Sequence, residues 1–497
     1  MSASPPSSSA PAAAEASAPV PDLSPVASAA DELPPPPVKP RKLDRSLVEG
    51  PLAAAVWKMA WPTVLQNAIG GLQGIIDHAM VGHFVGFTGN AAIGVSWQIF
   101  LVVIVFIASL FTGMGVLVAR FAGANDSERV NKTVYQAFLT AVVIALGILA
   151  PAGYFLSPML LDLVNATPAV KAEALPFLRI MFVFSIGMLL FFMLGGALRA
   201  AGDAKTPMRL GIGMTVLNIA FNVVLIPGYG PIPALGTRGA AIGTVLASSI
   251  VSSIGVWLLL RGKLVVHFPT TQSRRPDWTI IRSLFRFGLP AGIQGVAMNV
   301  AGVMLLRFIG SLPHSAEAQA AYAVGYAELF ALITWTSVGL MGSAAAVAGQ
   351  NLGAGHPERA IRGVQIASRI GIGVAAIVGA LFVLIPEYLL AIFGLDDPIV
   401  VSLGRQLLGF LAVSGFFITV ALTYTGGLQG TGDTRGPLYI TLVSQVLVPL
   451  GICGTLQSLG RLEASGVWSA IVIGHVTRCC LSVLRFKQGK WRHIVVE

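Results

Sequence analysis

Charge is scarce in this chain of 497 residues: Asp, Glu, Lys and Arg together make up 11%. A soluble domain carries about 25%, so an ordinary globular enzyme is excluded at the outset. Cysteine is scarcer still. Cys453, Cys479 and Cys480 are the three in the sequence; they form no disulfide framework, and the adjacent pair lacks metal-ligand spacing. No HExxH, Walker A or GxSxG motif occurs, so no enzyme is expected and ATP is not the direct energy source. No basic stretch followed by an apolar core precedes Pro51, so no secretory leader is expected there.

What is abundant is apolar surface. Hydrophobic side chains make up 55% of the sequence, and mean hydropathy is +0.78. About twelve apolar segments of spanning length follow one another between residues 54 and 484, each near the 20 residues a bilayer helix needs. The 56 glycines suit helices that approach closely within a membrane. The expected class is therefore an all-α polytopic membrane protein. Residues 1–50 differ in kind, being rich in Ala, Pro and Ser, and are expected to be a disordered tail.

The formal charge of +10 is distributed rather than pooled. Arg120, Arg129 and Lys132 follow the second segment, Arg199, Lys205 and Arg209 the fourth, and Arg261, Lys263, Arg274 and Arg275 the sixth. Arg359 and Arg362 follow the eighth, and Arg478, Arg485, Lys487, Lys490 and Arg492 close the chain. The intervening loops hold almost none. Basic loops stay in the cytoplasm, so both termini are expected there, in an inner (plasma) membrane protein crossing many times. Nucleic acid is not an expected partner.

Self-comparison gives the organisation. GGALRAAGDAKTPM, from Gly195, matches TGGLQGTGDTRGPL, from Thr425, and VARFAGANDSERV matches AGQNLGAGHPERA at the same shift of about 230 residues. Two six-helix lobes related by a parallel pseudo-two-fold repeat are expected: an N-lobe over 51–262, a cytoplasmic linker over 263–282, and a C-lobe over 283–497 with a short basic tail. The shared G-D-x-[KR]-x-P turn reads as structural, with Gly supplying positive φ and Pro opening the next helix.

Ionisable residues inside a membrane cost about 2.5–3.5 kcal/mol each and so mark function. Asp77 lies in the first span, about 22 Å along a helix from Pro62; its repeat counterpart is Leu305, so the fold does not demand an acid. Asn218 and Asn222 share one face of the fifth span, with Thr244 in the sixth. Those oxygens suit a small hard cation, and interhelical hydrogen bonding is the equal alternative. Glu328 in the eighth span is expected as a second buried acid, facing cationic substrate or pairing with Arg307. Trp97, Tyr326, Trp335 and Tyr424 are candidate walls of a drug-sized cavity.

IIDHAMVGHF, LRAAGDAKTPM, LNIAFNVVLIPG with ALGTRGAAIGTVLA, and GQNLGAGHPERA together resemble the multidrug and toxic compound extrusion (MATE) family. The resemblance runs through nearly everything after the tail. It implies a V of two lobes that exports drugs or other organic, often cationic, compounds in exchange for H⁺ or Na⁺ by alternating access. It also implies an N-lobe cation site at Asp77, Asn218, Asn222 and Thr244, with Na⁺ at Asp77 the one metal ion and no other cofactor. Small organic molecules and the lipid bilayer are the implied partners of a monomer. Asn222 stands where some relatives carry an acid. The seventh span offers Met298 and Asn299 and the tenth no acid, so the N-lobe is expected to carry the ion. Glu328 resembles the DinF-like branch. A flippase for lipid-linked precursors and a membrane sensor signalling through the tail are the competing readings.

Overall fold

The computed structural model describes residues 43–496, apart from 165, 270–272 and 274, with the side chains of 75, 87, 102, 104 and 106–108 excepted. The tail before residue 43 and Arg274 lie outside the described residues. Twelve long helical segments account for the chain: α1 (Leu52–Phe84), α2 (Phe87–Gly123), α3 (Ser127–Leu163), α4 (Pro168–Val183 continuing as Ile186–Ala200 with a 52° bend), α5 (Lys205–Leu225) and α6 (Gly236–Leu260). They continue with α7 (Trp278–Ile309), α8 (Ser315–Gly353), α9 (Pro357–Leu384), α10 (Pro398–Gly430), α11 (Arg435–Ser458) and α12 (Ala464–Lys487). Nine of these, with the bent α4 as a tenth, are apolar enough over their described residues to cross a bilayer. Where a loop ends, short polar residues start the next helix. Asp126, Asp277 and Asp397 each accept a hydrogen bond from a first-turn backbone amide, which satisfies groups the helix itself leaves unpaired.

The two repeat turns take the conformation their residues dictate. Gly202 and Gly432 have φ of 100° and 102°, a region open to glycine. Asp203 then accepts from the Thr206 amide at 3.0 Å and Asp433 from the Gly436 amide at 2.9 Å. Asp433 also binds Arg485 Nε at 2.7 Å, tying the α10–α11 turn to the end of α12.

Both described ends of the chain lie on one face, the termini face, and the lobes meet in its half of the molecule. A methyl group on Gly123 of α2 would stand 1.9 Å from the Gln350 carbonyl oxygen of α8, and one on Gly353 of α8 would stand 2.1 Å from that of Arg120 on α2. The repeat shift of 230 carries Arg120 and Gly123 onto Gln350 and Gly353, so this seam is self-complementary about the pseudo-two-fold axis. Hydrogen bonds from the C-lobe to the N-lobe and to the segment just before it reinforce it: Gln350 Nε2 to Ala200 O at 2.7 Å, Asn351 Nδ2 to Leu47 O at 3.1 Å, and Arg359 Nη2 to Gly50 O at 2.8 Å. Towards the middle, Asn67 Nδ2 of α1 donates to Trp335 O of α8 at 3.3 Å.

One expectation needs adjusting. The last part of the tail is ordered: Ser46–Glu49 form a helical turn, and Leu47 is fully buried against α1, α8 and α9. An apolar anchor after the Pro-rich stretch is enough to fold it down. The linker is also pinned, because Gln136 of α3 holds both Arg275 O (2.8 Å) and the Asp277 amide (3.1 Å). Lys132 pairs with Asp277 at 2.6 Å and holds that carboxyl below the usual carboxylate range.

Candidate functional site

The polar residues of the N-lobe converge. Asn222 Nδ2 donates to Asp77 Oδ1 at 2.7 Å and to Asn218 Oδ1 at 3.3 Å. Asn218 Nδ2 in turn donates to Thr244 Oγ1 at 3.0 Å, and Thr244 Oγ1 donates to the Ala240 carbonyl at 3.0 Å. One chain of hydrogen bonds thus links α1, α5 and α6. Asn218 and Asn222 are almost fully buried, while Asp77 keeps partial access.

Two members of this network escaped the sequence reading. Gln73, one turn before Asp77, sits against its carboxylate and accepts from Thr215 Oγ1 at 2.7 Å. The signal was available: Thr215, Asn218 and Asn222 follow three-and-four spacing, and Gln73 and Asp77 lie four apart. Gly243 is a third. A methyl group there would stand 2.3 Å from Asn222 Oδ1, so only glycine leaves room for the Asn222 amide.

The donor set fits a small hard cation or a proton. Asn222 Oδ1 is buried with no hydrogen-bond partner, and a buried acceptor left unpaired is costly. This amide oxygen and the Asp77 carboxylate are both of the hard-oxygen type that such a cation prefers.

The other candidates do not join this site. Glu328 is exposed on a π-helical turn of α8, Ala323–Leu329, instead of buried, because that turn rotates its side chain outward. Among the described residues no ion pair joins it to the likewise exposed Arg307. The four aromatics are dispersed. Trp97 packs edge-on to Phe100 in the N-lobe, and Trp335 abuts Gly71 where α8 crosses α1. Tyr326 lines a C-lobe cavity, and Tyr424 packs edge-on against Phe486 near the termini face.

Twelve membrane helices in two repeated lobes that meet along one face define a polytopic membrane protein of two-lobe transporter architecture. The MatE family model matches residues 62–224 and again 290–453, so the chain belongs to the multidrug and toxic compound extrusion family. It is 26% identical over 439 residues, 87% of this chain and 92% of its relative, to the probable multidrug resistance protein NorM of Thermotoga maritima. It is likewise 26% identical over 434 residues, covering 87% and 94%, to the probable multidrug resistance protein YpnP of Bacillus subtilis. Among solved structures it is similar to an outward-facing multidrug resistance MATE family transporter of the MOP superfamily, with a TM-score of 0.84 at 20% identity over 92% of this chain and all of the other. A MATE structure in the bent conformation gives a TM-score of 0.80 at 21% identity over 89% and 96%.

Proposed function

We propose that this protein exports drugs or other organic, often cationic, compounds from the cytoplasm across the inner (plasma) membrane in exchange for H⁺ or Na⁺, with Asp77 as the coupling group. The observation that carries this reading is the hydrogen-bond chain from Asp77 through Asn222 and Asn218 to Thr244, which makes the packing of three helices depend on one carboxylate. Both termini lie in the cytoplasm on this reading, which the basic loops support; the seam of Gly123 and Gly353 then closes the cytoplasmic side and leaves the lobes facing outward.

Coupling follows from the geometry. With Asp77 ionised, its charge holds the Asn222 amide and keeps α1 against α5. Neutralising it, by a proton or by Na⁺ shared with Asn222 Oδ1, removes the reason for that arrangement and lets α1 repack. An ion that prefers one packing shifts the two-state equilibrium by its differential affinity alone. The protein works as a monomer in the bilayer and needs no other cofactor. The deciding experiment is dye efflux from proteoliposomes under an imposed Na⁺ gradient or an imposed pH gradient, one at a time. Efflux driven by neither would overturn the reading.

A further inference from the structure

The C-lobe buries a cation for which the described residues supply no counter-charge. Arg478 of α12 is 2% exposed, and neither its Nε nor its Nη1 has a hydrogen-bond partner. Trp468 Nε1 and Ser482 Oγ of the same helix are also buried and unpartnered. Positions 468, 471, 475, 478 and 482 follow the three-and-four spacing of one helix face. Ile471 and His475 of that face line a cavity of about 360 Å³, together with Tyr322 and Tyr326 of α8 and Gln445 of α11. Helical side chains lean towards the N-terminus of their helix, so Arg478 leans back towards His475 and the cavity. The arginine stands one helical turn beyond His475 on that face, behind the side chains that line the cavity.

The cavity has the marks of a built site. Tyr326 and Gln445 each sit in a π-helical turn, Ala323–Leu329 and Leu442–Leu447, a distortion that recurs at functional sites. Tyr322 and Tyr326 of its wall stack at a ring-centroid distance of 5.0 Å, with Trp468 stacked behind Tyr322 at 6.1 Å. His475, whose Nδ1 is engaged with Ser414 Oγ, does not balance the charge, since an imidazole is neutral or cationic. Nor does the fold require arginine here. Gly239 and Gly466 open the matching turns of α6 and α12, and twelve residues beyond them stand Val251 and Arg478. Val251 is buried and apolar. An unpaired buried charge is strongly unfavourable, so an arginine held there with free donors calls for an anion from outside the chain.

We propose that the C-lobe cavity binds a monoanion through Arg478, with a carboxylate the group that best fits the guanidinium fork. This goes beyond ion coupling at Asp77 and stands independently of it. The anion has two sources, the carboxylate of a transported compound or a free halide. In the first case the lobes carry buried charges of opposite sign, Asp77 and Arg478, and the protein handles amphoteric compounds as well as cations.

The test is binding to the purified full-length chain in nanodiscs, in chloride-free buffer, with sodium benzoate and sodium chloride titrated separately. Calorimetry and tryptophan fluorescence, to which Trp468 contributes, read the binding. The expected result is saturable benzoate binding, weakened about tenfold or more in Arg478→Gln and weakened less in Arg478→Lys, which keeps the charge but loses the fork. Gly302 also lines the cavity, and a side chain added there meets nothing within 4 Å. Gly302→Leu should therefore abolish binding with Arg478 in place, which covers the case of an unfolded glutamine variant. Benzoate binding supports the substrate source, and chloride binding alone supports the halide. Binding of neither, or wild-type binding in Gly302→Leu and folded Arg478→Gln, would overturn the proposal.

Discussion

The Asn222 amide reaches Asp77 Oδ1 at 2.7 Å while its own carbonyl oxygen, buried, has no donor. One asparagine therefore faces the carboxylate with its donor and keeps its acceptor in reserve. That division of labour ties the state of Asp77 to the packing of α5 and predicts what substitutions there should do.

Asp77→Asn removes the charge and little volume. Gradient-driven efflux should be abolished, with substrate affinity in the purified protein changed by no more than about 1 kcal/mol. Retained uphill dye transport by folded Asp77→Asn protein would mean that another group couples the ion.

Asn218→Ala and Asn222→Ala should weaken coupling less, since each removes a neutral partner. Gly243→Ala should resemble Asn222→Ala in transport assays, because the added methyl claims the space of Asn222 Oδ1. Overpacking of that kind costs about 1–3 kcal/mol, visible as a lowered Tm in detergent.

The Asp433–Arg485 contact is a second place to probe. Asp433 is 4% exposed and Arg485 about a third. Arg485→Met should leave the carboxylate with only the Gly436 amide and cost about 1–3 kcal/mol of stability, read from thermal unfolding. Per-molecule transport of the protein that remains folded should change little.

Truncation should separate the tail from its anchor. Removing residues 1–40 leaves Leu47 in place and should be silent in efflux and in membrane abundance. Removing residues 1–50 takes away Leu47 and the Asn351 and Arg359 contacts to Leu47 O and Gly50 O. Abundance or closure should then suffer, and equal behaviour of the two truncations would show that the anchor is idle.

A reporter fused after Glu497 should be active only on the cytoplasmic side, since the basic loops set the orientation. Periplasmic activity of the same fusion would reverse the assignment of the termini face.

The twelve helices and the two-lobe repeat were legible because hydropathy and self-similarity are properties of long stretches, which average over local noise. Asp77, Asn218, Asn222 and Thr244 were legible because a polar residue in an apolar run stands out. Glu328 misled on burial: an acid within an apolar run reads as buried, whereas it is exposed on the π-helical turn Ala323–Leu329. Trp97, Trp335, Tyr326 and Tyr424 failed to gather because aromatic rings carry no directional signal in a sequence that is apolar throughout. Arg478 reads in the sequence as one of the cytoplasmic basic residues that close the chain, whereas it is buried within α12. Only three-dimensional packing separates an arginine without partners from one that reaches water.

Gly123 and Gly353 press on opposite sides of the same seam, each against a backbone oxygen of the other lobe. A wedge at either position parts the same two surfaces, so the first substitution should already pay most of the penalty of the second. In a double-mutant cycle Gly123→Ala and Gly353→Ala should fall well short of additivity, with a coupling of about 0.5–3 kcal/mol. Ordinary distant sites would simply sum. Symmetry here makes two positions, far apart in the chain, behave as one locus.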